Sequence, residues 1–161
     1  MNTLIVLTSL LPVAFVWLSG ERFRAKQAHI ACSGAYPNRV HLPSSTHFIE
    51  ILTQEQLASL LIYIPSGLTV ECIQVTDEQF KLIPHFATTT EFSLLIDLNL
   101  YIQPGNTFTV SMQGVRTSDR SEQVWRYEVY AKYLNGSEFQ RIGVANIHTY
   151  SDIRLHQKIF N

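Results

Sequence analysis

The chain has 161 residues, enough for one domain with a sizeable core and an appendage. Its 12 basic and 13 acidic residues leave a net charge of −1 at pH 7, so no overall field recruits nucleic acid and no charged tail exists. There is no low-complexity tract and no internal repeat at a fixed period, which excludes a solenoid or a propeller.

The chain opens on an apolar run. Leu4, Ile5, Val6, Leu7, Leu10, Leu11, Val13, Phe15, Val16, Trp17 and Leu18 make up most of it, only Thr8 and Ser9 bring polar side chains into the run Leu4–Leu18, and no charge precedes Glu21. At ~1.5 Å rise per residue, residues 1–20 sit near the lower limit for crossing a ~30 Å hydrocarbon core. They equally fit the apolar region of a secretory signal. The expectation is therefore a signal peptide or a single transmembrane anchor, helical in either case. Met1, Asn2 and Thr3 supply no basic residue, whereas Arg22, Arg24 and Lys26 follow the run. The positive-inside tendency would hold that flank in the cytoplasm. Leu18-Ser19-Gly20 is a passable cleavage site but a weak one. Residues 21–35 read as a linker, 36–150 as the folded domain and 151–161 as a tail.

Two cysteines, Cys32 and Cys72, leave two readings open. In an oxidising compartment they could close a loop of about 40 residues, worth roughly 3–4 kcal/mol on the chain-entropy model. Alternatively, Cys72 is a buried free thiol and Cys32 belongs to an irregular lead-in.

From Tyr36 onward the patterning is that of strands. Phe48–Leu52, Leu57–Ile64 and Thr69–Thr76 are three candidates, with Pro65-Ser66-Gly67 as the break between the last two. Gln54–Leu61 also tolerates a helix, and a short strand is possible near Phe80–Pro84. In Glu91–Ile102, the side chains of Phe92, Leu94, Ile96, Leu98, Leu100 and Ile102 share one face. Pro104-Gly105-Asn106 follows as a type II turn. Thr107–Val115 then alternates with Phe108, Val110 and Met112 inward. Asn135-Gly136 predicts a two-residue type I′ hairpin in which Leu134 faces Ser137 and Val129 faces Ile142. That register puts Trp125, Tyr127, Val129, Ala131 and Tyr133 on one face with Ile142 and Val144, and sets Tyr130 opposite Arg141 as a cation–π pair. Asp152–Asn161 reads as a short helix or an edge strand. The fold class is mainly β: an antiparallel β-sandwich, immunoglobulin-like in the loose sense, preceded by the N-terminal apolar helix.

Chemistry-bearing motifs are sparse. His41, His47 and Glu50 are the nearest approach to a metal cluster, and they read better as a surface loop leading into a strand. His148 reads as a rim or half-buried residue. No Gly-x-Ser-x-Gly elbow, Gly-rich phosphate loop, Cys-x-x-Cys or dinucleotide fingerprint occurs. Asn135-Gly136-Ser137 fits a glycosylation sequon but reads as turn chemistry. Arg116, Arg120 and Arg126 surround the polar loop Thr117–Gln123, a candidate interaction loop. Trp125, Tyr127, Tyr130 and Tyr133 could form a ligand platform, yet most of them should be core.

Three stretches carry a resemblance. They are Leu60-Leu61-Ile62-Tyr63-Ile64-Pro65 before a Gly turn, Ile102-Gln103-Pro104-Gly105-Asn106-Thr107-Phe108-Thr109-Val110, and Tyr127–Tyr150 with Gly136 in its turn and Ile142-Gly143-Val144-Ala145-Asn146-Ile147-His148-Thr149-Tyr150 at its end. With the apolar N-terminus, the chain from about His29 to Tyr150 resembles an uncharacterised cyanobacterial family of exported β-sandwich proteins, catalogued as a domain of unknown function. The resemblance implies export in a cyanobacterium, to the thylakoid lumen or periplasm, and carries no catalytic residues. Residues 1–20 and this resemblance together lead to one expectation. It is a non-enzymatic, extracytoplasmic, membrane-associated protein with a structural or protein-interaction role, such as an accessory subunit of a photosynthetic membrane complex. No cofactor and no nucleic acid enter it. The alternative is a module that binds a small ligand, pigment, glycan or metal through the sandwich loops.

Overall fold

A computed structural model describes residues 28–38, 45–117 and 123–150. The apolar segment 4–18, His41, Arg120 and the tail 151–161 lie outside the described residues. Among the described residues there are ten strands: β1 (His29–Tyr36), β2 (Ser45–Leu52), β3 (Leu57–Tyr63), β4 (Leu68–Thr69), β5 (Cys72–Asp77), β6 (His85–Thr89), β7 (Ser93–Ile102), β8 (Thr107–Thr117), β9 (Gln123–Tyr133) and β10 (Gln140–Thr149). They form two antiparallel sheets. One runs β1-β2-β8, with β4 and β5 both on the far side of β8; the other runs β10-β9-β3-β7-β6.

In this order β1, β2, β8 and β5 take the places of immunoglobulin strands A, B, E and D, and β3, β9 and β10 those of C, F and G. The β6–β7 hairpin is an addition beside β3. The expected sandwich is therefore correct. Leu57–Tyr63 is a strand, not a helix.

Alternation builds the core, because a strand with one wet face must point every second side chain inward. Ile49 and Ile51 of β2, Phe108, Val110 and Met112 of β8, Leu94, Ile96 and Leu98 of β7, and Tyr127, Val129 and Ala131 of β9 are all buried. The β7–β8 turn is the expected type II turn: Gly105 has φ +84°, and the Asn106 N–H donates to the Gln103 carbonyl at 3.4 Å.

Three expectations are corrected. The first strand begins at His29, so the segment read as linker supplies an edge strand paired with β2. The Asn135-Gly136 step is not a type I′ turn. That turn needs positive φ at both residues, and neither has it; instead Gly136 N–H donates to the Tyr133 carbonyl at 3.0 Å inside a longer connection. Arg141 faces Tyr130 as expected, but Val129 then pairs with Gly143 because the register slips at Ile142. One extra residue flips the face of everything beyond it. Ala145, Ile147 and Thr149 are the buried residues of β10, and Ile142 and Val144 are only half-buried.

The strand register defines two ends. Leu52, Leu57, Asp77, Ile102, Thr107 and Tyr133 meet at one, the proximal end, where the described chain also starts at Ala28. Residues 64–67, 89–92 and 116–117 lie at the other, the distal end. On one flank the sheet edges close against each other, with the Ser33 hydroxyl of β1 donating to the Asn146 carbonyl of β10 at 3.3 Å. On the other flank the segment 82–84 links them. The Ile83 N–H donates to the Val75 carbonyl at 2.8 Å, and the Asn99 N–H donates to the Pro84 carbonyl at 3.1 Å.

Candidate functional site

The two cysteines do not converge. Cys32 and Cys72 are both free and exposed. They stand on β1 and β5, the two outer strands of one sheet, with β2 and β8 between them. Three strand spacings of about 4.8 Å separate those edges, far beyond the reach of a disulfide, so the bridge does not close. Arg116 ends β8 and forms an exposed ion pair with Glu71. Arg126 lies on the outer face of β9, in the other sheet. Arg120 and the rest of residues 118–122 lie outside the described residues.

The histidine reading changes most. His47 is 1% exposed and points into the core, while Glu50 lies on the opposite face of β2. Odd-numbered residues of that strand are inward and even-numbered ones outward, which separates the two. Among the described residues no group of three ligating side chains could hold a metal ion. His148 is exposed on β10. The His47 Nδ1 atom lies 2.7 Å from the Tyr127 hydroxyl, and the rings meet edge to face at 5.8 Å. Burial pushes the imidazole down to about 4 and raises the phenol, so both are neutral at pH 7. With both side chains sealed from solvent, no substrate reaches the pair; it is an inter-sheet tie.

Of the aromatic set, Trp125, Tyr127 and Tyr133 are core. The Trp125 Nε1–H donates to Thr149 Oγ1 at 2.9 Å, and the Tyr133 hydroxyl accepts the Ala28 N–H at 3.0 Å. Tyr130 is on the outer face, edge to face with Tyr63 at 5.6 Å, and its hydroxyl donates to Glu128 at 3.1 Å. That hydrogen bond raises the Tyr130 phenol. Arg141 directs its guanidinium to Glu128, at 3.8 Å, rather than over the ring.

The feature that sequence reasoning missed is the turn after β5. Asp77 N–H donates to the Lys81 carbonyl at 2.9 Å, and Phe80 N–H donates to the Asp77 carbonyl at 3.0 Å. One carboxylate oxygen of Asp77 accepts the N–H groups of Gln79 and Lys81, both at 2.9 Å, and Glu78 accepts the Thr107 N–H at 2.8 Å. This is a three-residue hairpin loop, whose last position takes a left-handed conformation usually supplied by glycine. Here the residue is Phe80, with φ +61°. A non-glycine residue there costs roughly 1–2 kcal/mol. Phe80 is 87% exposed, Leu82 60% and Phe86 71%. Isolated exposed apolar residues are ordinary, but three within seven positions, one on a strained and tightly held tip, are not.

Beside the turn is a pocket of about 420 Å³ whose lining includes Leu82, Ile83, Ile102 and Phe108 together with Asp77 and Lys81. A second pocket of about 380 Å³ lies at the distal end among Gly67, Leu68, Thr69, Glu91, Arg116 and Thr117. The more apolar pocket is thus at the end opposite to the Thr117–Gln123 loop.

No protein-family model matches the chain. No curated protein matches it either. Solved structures do. BslA, a bacterial hydrophobin, superposes with a TM-score of 0.51 at 10% identity, over 78% of this chain and 95% of that one. A non-cellulosomal cohesin from Archaeoglobus fulgidus gives 0.45 at 12% identity, over 84% and 99%. An M1 zinc metallopeptidase from Deinococcus radiodurans gives 0.42 at 15% identity, and there the match spans only 28% of the peptidase. At these identities the likeness to BslA shows the sandwich fold alone, and the other two add no argument.

Proposed function

We propose that the chain is a non-enzymatic, extracytoplasmic, membrane-associated β-sandwich with a structural or protein-interaction role, held at the bilayer through residues 1–20. The observation that carries this reading is the apolar run Leu4–Leu18 joined to a sandwich in which, among the described residues, no group of three ligating side chains could hold a metal. The resemblance to exported cyanobacterial proteins supports the thylakoid lumen or periplasm as its location. An accessory subunit of a membrane complex is the role that suits such a molecule. Cys32 and Cys72 supply the test, because both are exposed. In sealed vesicles of known sidedness, a membrane-impermeant maleimide should label them only from the extracytoplasmic face. Labelling from the cytoplasmic face alone would reverse the topology.

A second reading has one observation in its favour. The 420 Å³ pocket combines apolar side chains such as Ile83, Ile102 and Phe108 with polar ones such as Asp77 and Lys81, a composition that suits a small ligand. Under this reading a small apolar molecule co-purifies with the protein and appears in native mass spectra. Substituting Ile83 or Ile102 with a larger aromatic residue would displace it.

A further inference from the structure

The described chain starts at Ala28, at the proximal end, where its N–H is fixed to the Tyr133 hydroxyl. Between Leu18 and Ala28 lie nine residues, which fully extended reach about 30 Å. An apolar segment seated in a bilayer therefore tethers the proximal end within about 30 Å of the same bilayer. Exposed apolar side chains stand at both ends, with Tyr36, Phe92 and Tyr150 toward the distal end and a second group at the proximal end. Phe80 and Leu82 project at the β5–β6 corner of the proximal end, and Leu134 and Phe139, also exposed, stand on the β9–β10 connection beside Tyr133. Among the described residues there, Glu55, Glu78 and Glu138 outnumber Lys81, so their charge does not favour an anionic partner.

We propose that the Phe80 turn is a bilayer-contacting wedge. The Phe80 ring and Leu82 enter the interfacial region of the membrane that holds the apolar segment, and so fix the tilt of the sandwich. The inference rests on the membrane-held reading above and adds to it a defined docking face. The strained backbone supports it. Asp77 and Glu78 spend their carboxylates on holding the loop, and the position that would relax as glycine carries the largest exposed aromatic of the segment. The contact is apolar, so zwitterionic lipid suffices and salt does not release it.

The test uses the intact chain with Cys32→Ser and Cys72→Ser, bound to phosphatidylcholine vesicles. A nitroxide is placed at Gln79→Cys, beside Phe80, or at Ser66→Cys on the distal turn. Collision with a water-soluble nickel chelate should be several-fold weaker at position 79 than at position 66. Adding Phe80→Gly, which suits the positive φ and keeps the turn, should abolish most of that difference. Equal accessibility at the two positions on vesicle-bound protein overturns the wedge and leaves membrane association standing. So does protection that Phe80→Gly leaves unchanged. Dipolar broadening between labels at position 79 would show a second copy seated on the turn instead, which also overturns it. Protein that fails to float with vesicles removes both the wedge and the membrane-held reading.

Discussion

The His47 Nδ1 atom and the Tyr127 hydroxyl, 2.7 Å apart, join β2 of one sheet to β9 of the other inside the core. The two residues are 80 positions apart in sequence, and each is almost completely buried. Either partner donates, according to the imidazole tautomer. Removing one leaves the other as a buried polar group without its partner. Tyr127→Phe should therefore cost about 1–3 kcal/mol, measured as a lower denaturation midpoint at an unchanged slope.

The same pair sets a pH dependence. The folded-state value of His47 is about 4, against 6.5 for the ordinary imidazole. The unfolded chain takes up its proton first as pH falls. The stability is complete above pH 6.5 and declines below it, levelling off near pH 4. About 3 kcal/mol should be lost between about pH 7.5 and about pH 4. Denaturation of His47→Phe across the same range should lack this component, and equal slopes for the two proteins would refute it.

Phe80→Gly should leave the fold intact and raise its stability by up to about 1 kcal/mol, because glycine adopts φ +61° without the Cβ clash. Thermal denaturation of the two proteins measures it. A destabilised variant would show that Phe80 packs against something and is not a presented tip.

Gly114→Ala should do the opposite. Gly114 has φ +63° opposite the break between β4 and β5, and an added Cβ would come within 3 Å of the Glu71 side chain. The backbone strain alone is worth roughly 1–2 kcal/mol, and the variant should melt at a lower temperature. The Glu71–Arg116 ion pair would be displaced with it.

Both cysteines should react with a thiol reagent in the folded protein. An intact mass that lacks no hydrogens, and a stability unaffected by reductant, follow from their places on opposite edges of one sheet.

The sandwich was legible where one face is buried and the other wet. β7, β8 and β9 announce themselves by period-two alternation; the inward sets of β8 and β9, and Leu94, Ile96, Leu98 and Ile102 of β7, are the ones read from sequence, whereas Phe92, read onto the same face, precedes the strand and is exposed. β1 and β6 were missed because outer strands depend on backbone pairing more than on burial; His85–Thr89 buries almost nothing. The slip at Ile142 was invisible because a bulge adds a residue without changing composition. His47 carried one usable signal. Its parity with Ile49 and Ile51 places it inward, but nothing local indicates Tyr127. Phe80 sits in a short apolar stretch that reads as a strand, and only the hydrogen bonds from Asp77 show that it is a tip.

Flotation of the intact chain with phosphatidylcholine vesicles, followed by an alkaline carbonate wash, tests the membrane-held account most directly. The account predicts that the chain rises with the lipid and stays there through the wash, and that Leu10→Asp with Val13→Asp leaves it at the bottom of the gradient. An unaltered chain that remains at the bottom as a free monomer would contradict it.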